Sequence, residues 1–390
     1  MKILIWTSSF HPELGGLQTV CQQLAEGLIA RGHTVMVLTQ RNDRTLLPRE
    51  EMPEGYTVVR IPHWPKELPE LRGIKRLIYR ALGLRLNRQS RQNIEKAITD
   101  FKPDCTNIHF PDKQLWFYKS MRPLLGRIVV SLHGHEILRY FETKAHIVSD
   151  IVIDNGKAEL KKRLEALLLV SDAISTCSEW LKSKTLQLFP QLVPDRIYAI
   201  YNAVDITRFQ HAASEEGDNF VYAFGRLEPN KGFLMLIDAF HQITNQYPDL
   251  CLKIAGAGYE GDIMADKIRQ LGLEDKVILL GRQAPEEVAS TAKSASVNCV
   301  PSLAEPFGIV VLEALASNRP VVATNIGGIP EAAGGLAVLC EPKAADMAQA
   351  LIVCLDDPNP VDIEARNRHI NKFGLAQLVT NYEALLIHTS

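Results

Sequence analysis

The chain has 390 residues, of which 46% are hydrophobic and 23% are charged, and its formal net charge is −2. These ordinary globular values exclude a disordered or low-complexity protein, and the length predicts two domains. No apolar run approaches the roughly 20 residues of a membrane span, the N-terminus lacks a signal-peptide core, and the seven cysteines form no Cys-x-x-Cys pair. We therefore expect a cytoplasmic protein without a zinc ribbon or a disulfide framework.

Short apolar runs alternate with amphipathic stretches along the whole chain, which is typical of parallel sheets covered by helices on both faces. Strands are predicted at 3–6, 34–39, 57–61, 104–109, 128–133, 173–177 and 197–201, and again at 220–224, 252–255, 277–280, 297–300, 321–323 and 336–339. The two series are separated by a break at about 206–219, in which residues 211–218 are polar and aperiodic. We therefore expect an α/β protein of two doubly wound domains joined there.

The first loop of interest holds Gly15 and Gly16, directly before a helix predicted at 17–30 that Arg31 and Gly32 end. Two glycines let the backbone approach a ligand closely, and the N-terminus of a helix favours an anion. A glycine pair is also common in ordinary turns, so a purely structural role is the alternative.

The positive charge of the first half is concentrated in residues 72–96, which hold eight basic residues and the single acid Glu95. Residues 1–207 carry +7 and residues 208–390 carry −9. Apolar residues at helical spacing predict an amphipathic helix, interrupted at Gly83. Its basic face is either a solvated surface or a landing site for an anionic membrane or an acidic substrate. Sparse aromatic residues and the overall charge argue against nucleic acid as a partner.

Ligands of open parallel sheets bind beyond the carboxyl ends of the strands, so we expect functional residues in the loops that follow strands. His133 ends the strand at 128–133 and precedes Gly134, a place where a polar ring would face a substrate. In the second half, Arg226 and Lys231 lie in a glycine-flanked turn and could clamp a diphosphate. A structural histidine and two solvated cations are the respective alternatives.

Residues 256–261 match the dinucleotide fingerprint G-x-G-x-x-G through Gly256, Gly258 and Gly261. The match follows the second strand of its series rather than the first, which argues against NAD. It is then either a chance match or a backbone turn close to another nucleotide.

The most informative stretch is 301–314, in which Glu305 follows a strand and Glu313 lies in the helix that Gly308 opens. Carboxylates suit sugar hydroxyls, and the free amides at the helix start suit phosphate or sugar oxygens. An acidic pair buried without such partners would be costly. A further tight loop follows at 327–331.

Taken in order, these segments resemble the retaining glycosyltransferases of family 4, whose GT-B fold consists of two facing Rossmann-like domains with a cleft between them. The resemblance covers nearly the whole chain and rests on Gly15-Gly16, His133-Gly134, 201–205 with Phe209, Gly225-Arg226 with Lys231-Gly232, 305–313 and 327–331. Asn318 stands where the family commonly has glycine. Because asparagine tolerates a left-handed backbone, we expect that turn to persist.

The resemblance implies transfer of a sugar from a UDP- or GDP-sugar to an acceptor hydroxyl, with retention of configuration and without a metal ion or cofactor. The acceptor would be a sugar, a lipid-linked compound or another hydroxyl compound. The implied domains are 1–207 together with a last helix at about 371–390, and 208–370. The implied roles are these: Arg226 and Lys231 on the donor diphosphate, Glu305 with the backbone of Phe307, Gly308 and Ile309 on the transferred sugar, Glu313 on the ribose, Arg282 by the base, Gly256 and Gly258 near the nucleotide, His133 near the reacting carbon, and Gly15 and Gly16 closing over the donor.

Three other functions fit parts of the pattern. A sugar phosphorylase or a nucleotide-sugar epimerase would share the GT-B fold. An NAD-dependent oxidoreductase would rest on the glycines at 256–261. A nucleotide-sugar-binding protein without turnover would use the same phosphate- and sugar-facing residues.

Overall fold

The computed structural model describes residues 1–13, 15–41, 46–62, 74–111, 113–116, 118–141, 154–212, 219–356 and 362–387. In this part of the chain, two separate sheets, parallel apart from one edge strand, are each flanked by helices. The α/β class and the two-sheet organisation predicted from the sequence are confirmed.

The first sheet is built by the first half of the chain. Its strands are β1 (Lys2–Thr7), β2 (Thr34–Arg41), β3 (Arg49–Glu51), β4 (Thr57–Pro62), β5 (Cys105–His109), β6 (Arg127–Leu132), β7 (Ala173–Thr176) and β8 (Ile197–Ala199). Their order is β3-β4-β2-β1-β5-β6-β7-β8, and every pairing is parallel except that of β3 with β4. The chain order reverses between β1 and β5, so ligands are expected at the carboxyl ends of these strands.

The helices of the first half lie beside this sheet, except the last of them, which packs against helices of the second half. They are α1 (Gly16–Ala30), α2 (Ile74–Phe101), α3 (Tyr118–Met121), α4 (His135–Leu138), α5 (Asp154–Val170), α6 (Glu179–Leu188) and α7 (Ile206–His211). The helix predicted at 17–30 is confirmed as α1, and Gly32 after its last turn has a φ of 84°, which glycine adopts without strain.

The second sheet repeats the arrangement. Its strands are β9 (Phe220–Phe224), β10 (Cys251–Ala255), β11 (Val277–Gly281), β12 (Val297–Val300), β13 (Val321–Thr324) and β14 (Val338–Cys340), in the order β11-β10-β9-β12-β13-β14. Its helices are α8 (Phe233–Ile243), α9 (Gly261–Gln270), α10 (Pro285–Ser294), α11 (Ile309–Ala316), α12 (Ile329–Ala333), α13 (Ala344–Asp356) and α14 (Ile363–Ile370). The reversal lies between β9 and β12, and both strands are completely buried.

The last helix, α15 (Leu375–Ile387), packs against α1 of the first half. Val379 occupies the space beside Gly27, where a Cβ atom would lie 2.3 Å from a valine methyl group. Glu383 accepts hydrogen bonds from Arg31, at 2.5 Å, and pairs with His33, at 2.8 Å. The chain therefore returns to its first half, whereas the domain limits at 207, 208 and 370 stay a prediction.

One detail predicted from the sequence is wrong. The helix α2 is not interrupted at Gly83 but continues through it, because one glycine costs only about 1 kcal/mol relative to alanine and this helix has 28 residues. The break predicted at about 206–219 begins with the short helix α7, and residues 213–218 of its polar stretch lie outside the described residues. Phe209 is 2% exposed, and its burial stabilises this short helix.

The basic segment can be followed in part. Residues 72–73 lie outside the described residues, as do the side chains of 74–87, whereas Arg88, Arg91 and Lys96 are exposed on α2. Ile94 and Ile98 form the buried stripe of the helix. Among the helices that the structure describes, none combines the length and the apolar character that a membrane span requires.

Candidate active site

The loops at the carboxyl ends of the two sheets meet each other. A Cβ atom on Gly134, after β6, would lie 2.1 Å from Cγ of Pro306, after β12. The hydroxyl of Ser178, after β7, donates to the Pro306 carbonyl oxygen at 2.6 Å. Because ligands of such sheets bind at these edges, the junction is where a site shared by both halves would lie.

The turn after β9 places Lys231 against the loop after β12. Gly232 has a φ of 70°, and a Cβ atom there would lie 2.0 Å from the Pro301 carbonyl oxygen. The Leu303 amide donates to the Asn230 carbonyl oxygen at 2.8 Å. This close approach is open only to glycine, and it fixes the direction in which Lys231 leaves the turn.

Lys231 and Glu305 form an ion pair in the resulting niche. The Lys231 ammonium group donates to Oε2 of Glu305 at 2.6 Å, and the two side chains are only 15% and 13% exposed. Two predicted site residues that are far apart in sequence are thereby brought together. The ammonium group has further N–H donors, and the carboxylate has a second oxygen, so the pair can bind an anion and a hydroxyl side by side.

The glycines at 327 and 328 support the loop that carries Glu305. A Cβ atom on Gly327 would lie 1.9 Å from the Glu305 carbonyl oxygen, and the Gly328 amide donates to that oxygen at 3.0 Å. Phe307 is buried and stacks on Tyr201, with ring centroids 5.4 Å apart. The Phe307 side chain belongs to the core, so a ligand can use only the backbone at this position.

Gly308 opens α11 with a φ of 109°, and Ile309 is the first residue of that helix. Glu313 follows one turn later and accepts no hydrogen bond from any residue that the structure describes. Burial raises the pKa of its carboxyl group to about 7, although Arg208 and Lys231 lower it. Glu313 is therefore a partly neutral acid at physiological pH, and no residue in the described part of the chain competes for its oxygens.

Gly256 and Gly258 make room for the turn that carries Arg226. A Cβ atom on Gly256 would lie 1.8 Å from the Gly225 carbonyl oxygen, and one on Gly258 would lie 2.3 Å from that of Leu227. The Leu227 amide donates to Ala257 at 3.0 Å. The fingerprint at 256–261 thus has a packing function of its own, and the predicted nucleotide contact of these glycines stays a prediction.

We expect Gly258→Ala to lower the free energy of unfolding by about 2 kcal/mol, because the new methyl group overlaps the Leu227 carbonyl oxygen. Gly261→Ala is the matched control, since its nearest contact would be an ordinary 3.7 Å and neither glycine has a left-handed φ. Calorimetric melting curves of both variants check this. Equal melting temperatures would contradict the packing function.

The exposed cations are less constrained than Lys231. Arg226 is 64% exposed and donates to Glu228 at 2.7 Å, and the structure does not pair it with Lys231. The exposed Arg282 side chain, just after β11, bonds to no residue in the described part of the chain. A Cβ atom on Gly15 would meet the Gln18 side chain, and the Gly15 carbonyl oxygen accepts from the Thr19 amide at 3.0 Å. A Cβ atom on Gly16 would have no neighbour within 4 Å among the described residues, so none of these contacts brings either glycine to the second half.

His133 lies in a chain of polar side chains that the sequence did not reveal. Its Nε2 is 2.9 Å from Nδ1 of His109, whose Nε2 is 2.6 Å from Oδ1 of Asn107. Burial lowers the pKa of His133 to about 4 and that of His109 well below its usual value. Polar residues at alternate positions of the buried strand β5 are the signal that could have identified Asn107 and His109.

Two carboxylates stabilise the edges of the site through backbone amides. Glu136 accepts from the amides of His133, at 3.1 Å, and Gly134, at 2.9 Å. Glu331, in α12 of the second half, accepts from the amides of Glu179 and Trp180 at the start of α6 in the first half. A carboxylate at a helix N-terminus is stabilised by the free amides and the helix dipole, so Glu331 links the halves.

Comparisons with known proteins agree with this architecture. Family models match residues 14–208, as glycosyltransferase family 4, and 204–372, as glycosyl transferases group 1. An uncharacterised glycosyltransferase of Methanocaldococcus jannaschii is 30% identical over 360 residues, 85% of this chain and 82% of its own. A glycogen synthase of Mycobacterium tuberculosis is 29% identical over 384 residues, 94% of this chain and 89% of its own.

Solved structures show the same fold. The sucrose-phosphate synthase of Thermosynechococcus elongatus superimposes with a TM-score of 0.77 at 18% identity, covering 99% of this chain and 98% of its own. An Anabaena protein crystallised with UDP gives a TM-score of 0.74 at 19% identity, covering 99% of both chains. The chain therefore belongs to glycosyltransferase family 4 and is a glycosyltransferase with the GT-B fold.

Proposed function

We propose that this glycosyltransferase moves a sugar from a UDP- or GDP-sugar to an acceptor hydroxyl with retention of configuration. The observation that carries the proposal is the pairing of Lys231 with Glu305, close enough to Glu313 for Lys231 to lower its pKa, where loops of the two halves meet. The pairing offers a cation for a diphosphate and carboxylates for sugar hydroxyls. The Anabaena structure with UDP and another with UDP-glucose support a nucleotide-sugar donor.

In the proposed reaction, the bond between the anomeric carbon and the diphosphate oxygen breaks while the acceptor oxygen bonds to that carbon. The acceptor proton passes to a phosphate oxygen of the leaving diphosphate. Lys231, Arg226 and the amides at the start of α11 stabilise the negative charge on the diphosphate. We propose that these donors take the place of a divalent metal ion.

The remaining residues bind and exclude water. Glu305 would accept hydrogen bonds from hydroxyls of the transferred sugar, and Glu313 would accept from the ribose. Arg282 would lie along the base, and Gly15 and Gly16 would approach the donor from the first half. Closure around the donor would exclude water, which would otherwise hydrolyse it.

For the cellular location we propose only the cytoplasm. All seven cysteines are free thiols, which fits the reducing cytoplasm. The exposed Arg88, Arg91 and Lys96 fit a solvated helix face as well as a contact with an anionic membrane. The acceptor is accordingly proposed only as a hydroxyl compound of a glycoconjugate or polysaccharide pathway.

A melting-temperature panel of nucleotide sugars tests donor binding. A donor at 100 times its dissociation constant should stabilise the folded chain by about 2.7 kcal/mol. We expect one UDP- or GDP-sugar to raise the melting temperature, with a much smaller effect in Glu305→Ala. A response to NAD instead would favour the oxidoreductase, and phosphorolysis or epimerisation of the sugar would favour the other GT-B enzymes.

A further inference from the structure

The hydrogen-bond chain behind His133 has a definite direction. Asn107 Nδ2 lies 3.2 Å from the Val129 carbonyl oxygen and 2.8 Å from Oγ of Ser131. A carbonyl oxygen only accepts, so the amide nitrogen of Asn107 is on that side and its Oδ1 faces His109. His109 must therefore carry its proton on Nε2 and donate it to Asn107.

The same reasoning assigns the donor and acceptor nitrogens of His133. A neutral imidazole has one donor and one acceptor nitrogen, so His109 Nδ1 is an acceptor. His133 Nε2, at 2.9 Å, is consequently the donor in the contact between the two rings. The remaining nitrogen of His133, Nδ1, then holds a lone pair and no proton. Burial, which lowers the pKa of both rings, supports their neutral state.

The titratable groups around the two rings leave this assignment intact. The Glu136 carboxylate of α4 binds the backbone amides of His133 and Gly134 rather than a ring. The Cys177 thiol, after β7, is 3.8 Å from the His133 carbonyl oxygen. The Tyr382 ring of α15 lies 5.8 Å from that of His109, and its hydroxyl is 3.3 Å from Ser175 Oγ. No charged side chain among the described residues makes a hydrogen bond to either ring.

We infer that Asn107 and His109 are positioning residues that hold His133 as the neutral Nε2–H tautomer, so that its Nδ1 accepts a hydrogen bond from a hydroxyl of the transferred sugar. The assignment of a sugar hydroxyl as the partner of Nδ1 rests on the proposed function, whereas the assignment of the tautomer does not. His133 then neither donates a proton to the leaving group nor stabilises the diphosphate as a cation. Its contribution is to orient a hydroxylated sugar.

The tautomer can be measured in the full chain without any donor. Long-range nitrogen–proton NMR spectra of protein labelled with ¹⁵N-histidine distinguish protonated from unprotonated ring nitrogens, and loss of signals in His133→Gln assigns His133. We expect an unprotonated Nδ1 and a protonated Nε2 at neutral pH and down to about pH 6. A proton on Nδ1, or a doubly protonated ring, would overturn the inference.

Asn107→Asp is designed to reverse the direction of donation in the hydrogen bond between His109 and His133. A carboxylate at position 107 favours a doubly protonated His109, whose Nδ1–H would then donate to His133 Nε2 and leave the His133 proton on Nδ1. We expect the tautomer signals to exchange and kcat/KM to fall about tenfold at neutral pH, the effect of one lost hydrogen bond. The loss should recover at high pH, as His109 loses its extra proton. Unchanged signals and an unchanged pH profile would contradict the inference.

His109→Gln is the conservative control. The glutamine carbonyl can accept from His133 Nε2 while its amide group donates to Asn107, so tautomer and kcat/KM should be retained within about threefold. His109→Leu offers no acceptor and should lose about tenfold in kcat/KM. Equal activity of the two variants would show that the ring contact does not position His133. If the enzyme turns over none of the nucleotide sugars, the proposed function is refuted, and the NMR result still decides the tautomer.

Discussion

Lys231→Ala is expected to lower the rate of sugar transfer by about 10²- to 10³-fold, the effect of removing one well-placed donor from a developing negative charge. The substitution also leaves Glu305, which is 13% exposed, without the ammonium group that now lies 2.6 Å away. The defect should lie mainly in kcat, because in the proposed reaction the charge on the diphosphate oxygen increases in the transition state. Steady-state kinetics with the donor found in the melting panel measure it.

Lys267→Ala is the matched control for loss of a lysine–carboxylate pair in the same half. Lys267 contacts Asp238 at 2.7 Å, and that pair is more exposed than Lys231 and Glu305. Exposed pairs contribute about 0 to 1 kcal/mol to stability, so this variant should retain full activity. A folded Lys231→Ala enzyme with activity within a few-fold of the parent would place the diphosphate elsewhere.

Donor binding is expected to weaken as the pH falls below about 7, because in the proposed function Glu313 must be ionised to accept hydrogen bonds from two ribose hydroxyls. Burial raises the pKa of this carboxyl group to about 7, so below that pH the protonated, neutral form predominates. If only the carboxylate binds, the dissociation constant should rise about tenfold for each pH unit below the pKa. Calorimetric titration with the donor across this range measures the slope.

Glu313→Gln should remove this pH dependence and bind the donor weakly at every pH, since an amide has a single acceptor oxygen. Glu274→Gln, at an exposed position before β11, should behave like the parent chain. A parent protein whose affinity is flat between about pH 6 and 8 would show that Glu313 does not contact the donor.

The sequence predicts the strands well because the central strands of both sheets are buried on their two faces. The apolar runs at 220–224 and 297–300 coincide with β9 and β12, which flank the reversal in the second sheet. It misses β3, because Arg49–Glu51 has no apolar pattern and pairs only as an edge strand. Asn318 has a φ of 60°, as expected for an asparagine at a left-handed position.

The contacts and the pKa values of the site residues are harder to predict from the sequence than the strands are. The types of Lys231 and Glu305 indicate anion and sugar chemistry, but their contact depends on the approach that Gly232 and Gly327 permit between loops. The raised pKa of Glu313 depends on burial, which is a property of the tertiary structure. The order of donors behind His133 depends on a contact between β5 and the loop after β6.

We propose that the facing loops bind a nucleotide sugar and transfer its sugar with retention of configuration. The most direct measurement is a time-resolved NMR spectrum of the anomeric proton during turnover, with an α-linked donor, a hydroxyl acceptor and a chelator present. We expect a new α-linked product and one nucleoside diphosphate for each sugar transferred, with neither formed by Lys231→Ala at a comparable rate. A β-linked product, or turnover that stops on adding the chelator, would contradict this account.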